Sequence, residues 1–497
     1  KRQLYMRKNK LNIAGFVLLA SLMNACSLNY DPISEYSDVT VGSTDEEGSE
    51  IAFKNREEAL NQYESIYKRM RDNQEKWYLD YLLFTESYSD NCYGDFSGNA
   101  YVVERDWNDY LASIAVANKL ICNIDAVPDP GFSQEERNQW KSEALIYRAM
   151  NMFDMVRFWG RFPIITQVAP DITSENIEEV YPLYYPQQGT EEEAYIQIEK
   201  DLLEGLKYAP ENNSSNKTIL SKTVARALLA KVYAEKPLRD YQKVIQYADE
   251  VAADGIDLVQ DFSDLFGMNE AVTDCKARNT KESILEMQYF PGNANWVTWM
   301  FGRDVLDWDF YFQWAKWITP SRDLIKAYDK EGDVIRKNET IVYYECGWSN
   351  YYPASEYPFM YKCRSQLSNI IKLRYADILL MKAEALIMTD DLPGAYAIIN
   401  RIRQRAGISD LPVEIVNNKE QMIEALLNER RLELAFEGVR FFDLCRLDKL
   451  ETVMNEVTRT DTGRHLQQMV YTKDSYKFPI PQSAIDQNPN LTQNPSY

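Results

Sequence analysis

The sequence predicts a mostly α-helical fold in which tetratricopeptide-like helical hairpins scaffold an irregular, loop-rich region that binds a ligand. Three observations predict it. Apolar residues recur at helical spacing through two stretches, about 134–255 and about 371–448, with alanines where paired helices would touch. Capping residues mark the helix starts, and glycine or proline marks the stops. Residues 86–106, 257–318 and 337–369 show no sustained helical period and are rich in Tyr, Trp, Asn and Gly. Loops of that length inside a compact domain are usually functional.

At the N-terminus, Arg7, Lys8 and Lys10 precede an almost wholly apolar run from Leu11 to Met23, and Ala25 is the small residue before Cys26. That is the pattern of an export signal. The run is well under the roughly 20 residues a helix needs to cross a bilayer. Residues 1–25 are therefore read as a signal peptide. Met23-Asn24-Ala25-Cys26 resembles a bacterial lipobox, with Met where Leu is usual. Cys26 is the expected lipid attachment site, and several acyl chains on it would anchor the chain stably. The alternative is an ordinary secretory signal followed by an incidental cysteine. Residues 26–50, rich in Ser, Asp, Glu, Thr and Gly, form a tether that cannot bury enough apolar surface to fold alone. Residues 51–497 form the folded domain.

Ser133-Gln-Glu-Glu136 opens a helix carrying Trp140, Ala144, Tyr147, Phe153 and Trp159 on one stripe until Gly160. Thr190-Glu-Glu-Glu193 opens the next, which stops at Pro210. Ala227, Ala230 and Tyr233 stripe one helix, Pro237 breaks it, and Tyr241, Ile245 and Ala248 stripe its partner. A second pair follows the same scheme: Ala376, Leu380, Ala383 and Leu386, a break at Asp390 to Pro393, then Ala395, Ile399 and Ile402 up to Gly407. Small residues let paired helices approach closely, and stacked pairs bury a continuous core.

Composition narrows the partners. With 497 residues, of which 45% are hydrophobic, the chain can bury a large core. Lys+Arg 55 against Asp+Glu 76 gives a net charge of -21, which argues against nucleic acid or polyanions and favours neutral ligands. Cys92, Cys122, Cys275, Cys346, Cys363 and Cys445 are scattered without a CxxC pair, so no metal site is expected and most read as small buried apolar groups. An exported setting still permits disulfides. No cofactor motif is present.

Catalytic motifs are also missing. His465 is the one histidine, and G-x-S-x-G, H-E-x-x-H and P-loop patterns do not occur. A pair of carboxylates could still serve a glycosidase. The aromatic density of 289–317 is the stronger signal: Tyr289, Phe290, Trp296, Trp299, Phe301, Trp308, Phe310, Tyr311, Phe312, Trp314 and Trp317. Some of these rings will pack in the core. Others share the segment with Gly292, Asn293, Asn295, Arg303, Asp304, Asp307 and Asp309, and flat rings beside hydrogen-bonding groups are what a sugar site requires. Tyr88, Asn91, Tyr93, Asp95, Phe96, Asn99 and Tyr101 repeat the mixture on a second loop. The expected stacking rings are Trp296, Trp299, Tyr93 and Tyr101, and the expected rim is Asn91, Asp95, Asn293 and Arg303. If these rings are not the site, the loop of Trp348, Tyr351 and Tyr352 is the next choice.

Several strings in order resemble one family. They are Glu143 to Arg157 with Trp159-Gly-Arg-Phe-Pro163; Leu373 to Met381 with Ala383-Glu-Ala-Leu386; Asn400-Arg-Ile-Arg403; Glu429 to Gly438 with Arg440-Phe-Phe-Asp443; Phe478-Pro-Ile-Pro481; and Asn488 to Pro495. On these strings the chain resembles the SusD/RagB family of outer-membrane nutrient-binding lipoproteins. The resemblance implies a mostly helical SusD-like fold and a non-catalytic protein on the extracellular face of the outer membrane. It further implies capture of an oligosaccharide for a SusC-like TonB-dependent transporter, on which the protein sits as a lid. Two alternatives stay open: a peptide-binding, RagB-like lid, and a surface glycosidase. The diagnostic strings themselves read as architecture, with Arg430, Arg431, Glu433 and Arg440 pairing at the margins of a helical apolar stripe.

Overall fold

The computed structural model describes residues 52–94, 96–298, 302–305, 308–311, 318–461, 463, 470–495 and 497, without the side chains of 74, 75 and 96–105. The signal segment, Cys26, the tether, Asp95 and Trp299 lie outside the described residues. The elements, in chain order, are helices α1 (Arg56–Asp80), α2 (Phe96–Asn123), α3 (Gln134–Trp159), α4 (Ile177–Tyr184), α5 (Glu191–Tyr208), α6 (Lys222–Ala234) and α7 (Tyr241–Ala253). After the loop-rich part come α8 (Arg322–Glu331), α9 (Val334–Thr340), α10 (Tyr375–Met388), α11 (Leu392–Arg405), α12 (Lys419–Leu434), α13 (Arg440–Arg446), α14 (Leu450–Thr460) and α15 (Gln482–Gln487). Six short strands make three two-stranded antiparallel pairs: β1 (Cys92–Tyr93) with β3 (Thr319–Pro320), β2 (Ser283–Met287) with β6 (Ile370–Arg374), and β4 (Ile341–Tyr344) with β5 (Tyr357–Met360).

The helical boundaries follow the marked caps. The Ser133 hydroxyl accepts from the Glu136 amide at the start of α3, and Gly160 closes it at φ 74. Thr190 and Glu193 complete a reciprocal capping box on α5. The two hairpins are α6 with α7 and α10 with α11, and Ala227, Ala230, Ala376, Ala383 and Ala395 are fully buried in them. Close approach also joins α3 to α5. A Cβ on Gly205 would stand 2.8 Å from Ile146 Cγ1 and 3.0 Å from the Ser142 carbonyl, so only glycine fits. Beside that contact Arg148 forks onto Asp201, with both oxygens accepting at 2.7 Å in a buried pair.

One expectation needs correction. Residues 86–106 are mostly not loop: a π-helical turn, Tyr81–Glu86, continues α1, and α2 begins at Phe96. The first turn of α2 is Phe96-Ser-Gly98-Asn99, a poor helix start, and the period is clear only from Trp107, Tyr110, Ile114, Ala117 and Leu120, which are buried. Likewise 337–369 holds the end of α9 and strands β4 and β5.

The diagnostic string on α12 lies in the interior rather than at a margin. Glu433 accepts from Arg336 at 3.1 Å and Arg374 at 2.6 Å, while Arg336 also meets Glu429 at 2.6 Å and Arg374 also meets Glu282 at 2.8 Å. The desolvated cations and carboxylates compensate one another, and removing one partner of such a set costs about 3–5 kcal/mol. The network fixes what the site stands on: Lys362 donates to the Glu433 carbonyl at 2.8 Å, and the Tyr328 hydroxyl donates to the Leu432 carbonyl at 2.7 Å.

Candidate functional site: an aromatic shelf on a short hairpin

The run Ile341-Val-Tyr-Tyr344 is β-branched and aromatic, and it pairs with Tyr357–Met360 in the register Val342↔Phe359 and Tyr344↔Tyr357. Cross-strand partners share a face, so Val342, Tyr344, Tyr357 and Phe359 point the same way. Against that face pack Trp348, 4.5 Å from Tyr357, and Trp308, 4.9 Å from Phe359 in an edge-to-face contact. Each such ring pair adds about 0.5–1.5 kcal/mol beyond burial. The inner rings, Trp348, Tyr357 and Phe359, are buried with Cys346.

The outer rings are not. Trp308 is half-buried, Tyr344 is 37% exposed and Tyr311 is 75% exposed, while Tyr343, also 37% exposed, alternates to the opposite face of β4. The loop carrying Trp308 and Tyr311 is held by the Asp309 carboxylate, which accepts from the Tyr311 amide at 2.9 Å, and by the Gly347 amide, which donates to the Phe310 carbonyl at 3.0 Å. Gly347 allows the approach, because a Cβ there would lie 2.9 Å from the Tyr311 ring and 3.1 Å from Phe310. Arg303 completes the shelf, with its guanidinium carbon 4.4 Å from the Trp308 ring centre and 4.3 Å from that of Tyr344. Burial pushes the phenols of Tyr343, Tyr352 and Tyr357 up from their ordinary value, so they stay protonated hydrogen-bond donors at neutral pH.

The structure separates the eight predicted ligand residues. Arg303 is on the shelf. Asn293 is exposed in a tight turn, where its amide donates to the Phe290 carbonyl at 2.8 Å and Gly292 takes φ 89. Trp296 is half-buried next to it, and Asn295 ties this turn to the backbone of Ser365 and Ser368 at 3.2 and 3.0 Å. Tyr101 is on α2 with its side chain undescribed, and Asp95 and Trp299 lie outside the described residues.

Tyr93 and Asn91 occupy interior positions, contrary to their expected roles. The Tyr93 ring is fully buried, stacked 4.6 Å from Tyr351, and its hydroxyl meets Asp461 and accepts from Arg322 at 2.9 Å. The Asn91 side chain donates to Glu86 at 2.9 Å and accepts from Arg431 at 2.9 Å, leaving none of it to face a ligand. Pairing of β1 with β3 draws both inward. Tyr343 and Tyr344 were missed by the sequence reading, although the β-branched and aromatic run of Ile341 to Tyr344 was a visible strand signal.

Among the described residues no group of three His, Cys, Asp or Glu could hold a metal ion, the six cysteines are free, and no helix is long and apolar enough to cross a membrane. Flat rings, phenolic hydroxyls and one guanidinium can stack on and hydrogen-bond to a ligand.

Comparison with known proteins gives two family matches in chain order. Residues 46–234 match a family described as starch-binding and associating with the outer membrane, and residues 281–497 match the SusD family. "SusD-like protein P2" of Formosa agariphila is 25% identical over 442 residues, covering 81% of this chain and 82% of the relative. A SusD-like protein of Bacteroides ovatus is 24% identical, covering 89% and 83%. Among solved structures, a SusD homolog from Bacteroides thetaiotaomicron superposes with a TM-score of 0.71 at 20% identity, covering 89% of this chain and 97% of that one. A laminarin-binding SusD-like protein superposes with a TM-score of 0.67 at 21% identity, covering 90% and 100%. The surface glycan-binding protein A of Bacteroides fluxus does so with a TM-score of 0.68 at 20% identity, covering 89% and 99%. The fold these share is the mostly helical one described above, and the chain is a member of the SusD/RagB family of glycan-binding proteins associated with the outer membrane.

Proposed function

We propose that this protein binds oligosaccharide at the Trp308, Tyr344, Tyr311 and Arg303 shelf without altering it, and delivers it to a SusC-like TonB-dependent transporter on which it sits as a lid. Lipid on Cys26 would hold it at the extracellular face of the outer membrane. The observation that carries the reading is the shelf itself: exposed rings backed by buried ones, with hydroxyls and a guanidinium at the edge. Pyranose rings present flat C–H patches to such faces and hydroxyls to such rims. Trp296 and Asn293, on the turn anchored to the same backbone, extend the proposed surface. The glycan-binding and laminarin-binding neighbours support the ligand class.

Affinity electrophoresis against a panel of plant, fungal and algal glycans tests it. Tyr344→Ala and Tyr311→Ala should each reduce retention, by about 5- to 10-fold for a lost stacking contact of ~1 kcal/mol or more, with the helical circular dichroism unchanged. Full retention in both variants would move the site off the shelf. Sustained release of new reducing ends by the purified protein would refute the non-catalytic reading.

A further inference from the structure

We propose that Arg303 is a subsite for an anionic substituent, a carboxylate or sulfate carried by one sugar of an otherwise neutral glycan. This deepens the shelf reading above and rests on it.

Most of this chain's other desolvated cations are paired with a carboxylate. Arg148 has Asp201, Arg157 and Lys372 have Asp154, Lys231 has Asp377, and Arg440 has Asp90. Arg137 has no carboxylate but is saturated by carbonyls of Phe132, Ile124, Val127 and Asp129. Arg303 follows neither rule. Among the described residues no carboxylate lies within pairing distance. Its one acceptor among the described residues is the backbone carbonyl of Asp304, and its Nε–H is buried without an acceptor. Burial lowers its guanidinium from the ordinary value, while the guanidinium of carboxylate-paired Arg157 is raised.

A cation taken partly out of water and paired with no carboxylate is unfavourable, and the neighbouring Asp304 charge offsets only part of the desolvation. Two aromatic faces offset part of that cost. A planar fork held against two rings of the shelf also has the geometry that carboxylate and sulfate oxygens match. The net charge of -21 repels a long polyanion. The ligand is therefore a mostly neutral chain with isolated acidic groups, where one local guanidinium decides.

Matched glycan pairs that differ only in the anion test this. Glucuronoxylan would be compared with its carboxyl-reduced form, and a sulfated galactan with its desulfated form, by isothermal titration against wild type, Arg303→Gln and Arg303→Lys. The expected result is that wild type prefers the acidic member of at least one pair by about tenfold, the size of one charge-assisted contact. Arg303→Gln should abolish the preference, bringing the acidic member down to the affinity of the neutral one. Arg303→Lys should restore only part of it. Which pair responds distinguishes carboxylate from sulfate. Equal binding of both members of every pair that binds would overturn the proposal and leave the shelf reading intact. Loss of the neutral member too in Arg303→Gln, with the melting temperature unchanged, would show that Arg303 serves stacking alone. Binding of no glycan by wild type would refute the shelf reading and this proposal together.

Discussion

Glu86 shows how one residue at the end of the π-helical turn couples distant segments. Its buried carboxylate accepts from the Asn91 side chain at 2.9 Å and from the Gly438 amide at 2.8 Å. Burial nonetheless pushes the group up to about 7, from 4.5. The native state thus keeps a proton between pH 4.5 and about 7 that the unfolded chain has lost. Stability from this group is greatest below that window and falls as pH rises through it, by about 3 kcal/mol at most. Glu86→Gln cannot titrate. The stability of wild type minus that of Glu86→Gln, from urea melts, should therefore fall between pH 4.5 and 8, and a constant difference would rule out the assignment. None of this was legible in the sequence, because Gly438 is brought to Glu86, and Arg431 to Asn91, only by the tertiary fold, and a polar Asn near a Tyr reads equally well as a ligand rim.

At the scale of elements, legibility tracked the range of the forces involved. The hairpins α6–α7 and α10–α11 were readable because their periodicity and caps are local. The glycine that seats α5 on α3 was not, since Gly205 inside a helix reads only as a weak position. The β4–β5 hairpin was read as loop, because the strand signal of Ile341 to Tyr344 is only four residues long and its partner, Tyr357–Met360, follows a long connection. Phe359 tests the role of this hairpin. It is buried beneath Trp308, Trp348 and Tyr357. Phe359→Ala removes the floor of the shelf and should cost about 3–5 kcal/mol. Near-ultraviolet circular dichroism and glycan binding should both weaken while the far-ultraviolet helical signal persists, since the helices pack elsewhere. Unaltered glycan affinity in this variant would show that the hairpin does not carry the site.

Over the whole molecule, the last segment closes onto the first helices. Phe478 is buried among Phe84, Phe158 and Phe441, with ring centres 5.1, 6.1 and 5.2 Å away, and its amide donates to the Phe158 carbonyl at 2.8 Å. Asn494 then donates to the carbonyls of Trp159 and Phe478, both at 2.8 Å. The strap thereby satisfies backbone carbonyls at the end of α3, where the helix has no further amide to offer. The proline-rich ending runs over the helices, with α15 as a short helical insert. Phe478→Ala should cost about 3–5 kcal/mol through the cavity it leaves, and Asn494→Ala about 1–3 kcal/mol, chiefly through the Phe478 carbonyl, since the Trp159 carbonyl keeps the Arg161 amide at 2.9 Å. Because both pin one strap, the double variant should lose less than the sum, and urea unfolding of the four proteins measures that coupling. Strict additivity would mean that the ring and the amide act independently, and that the terminal segment is not one cooperative clasp across α3.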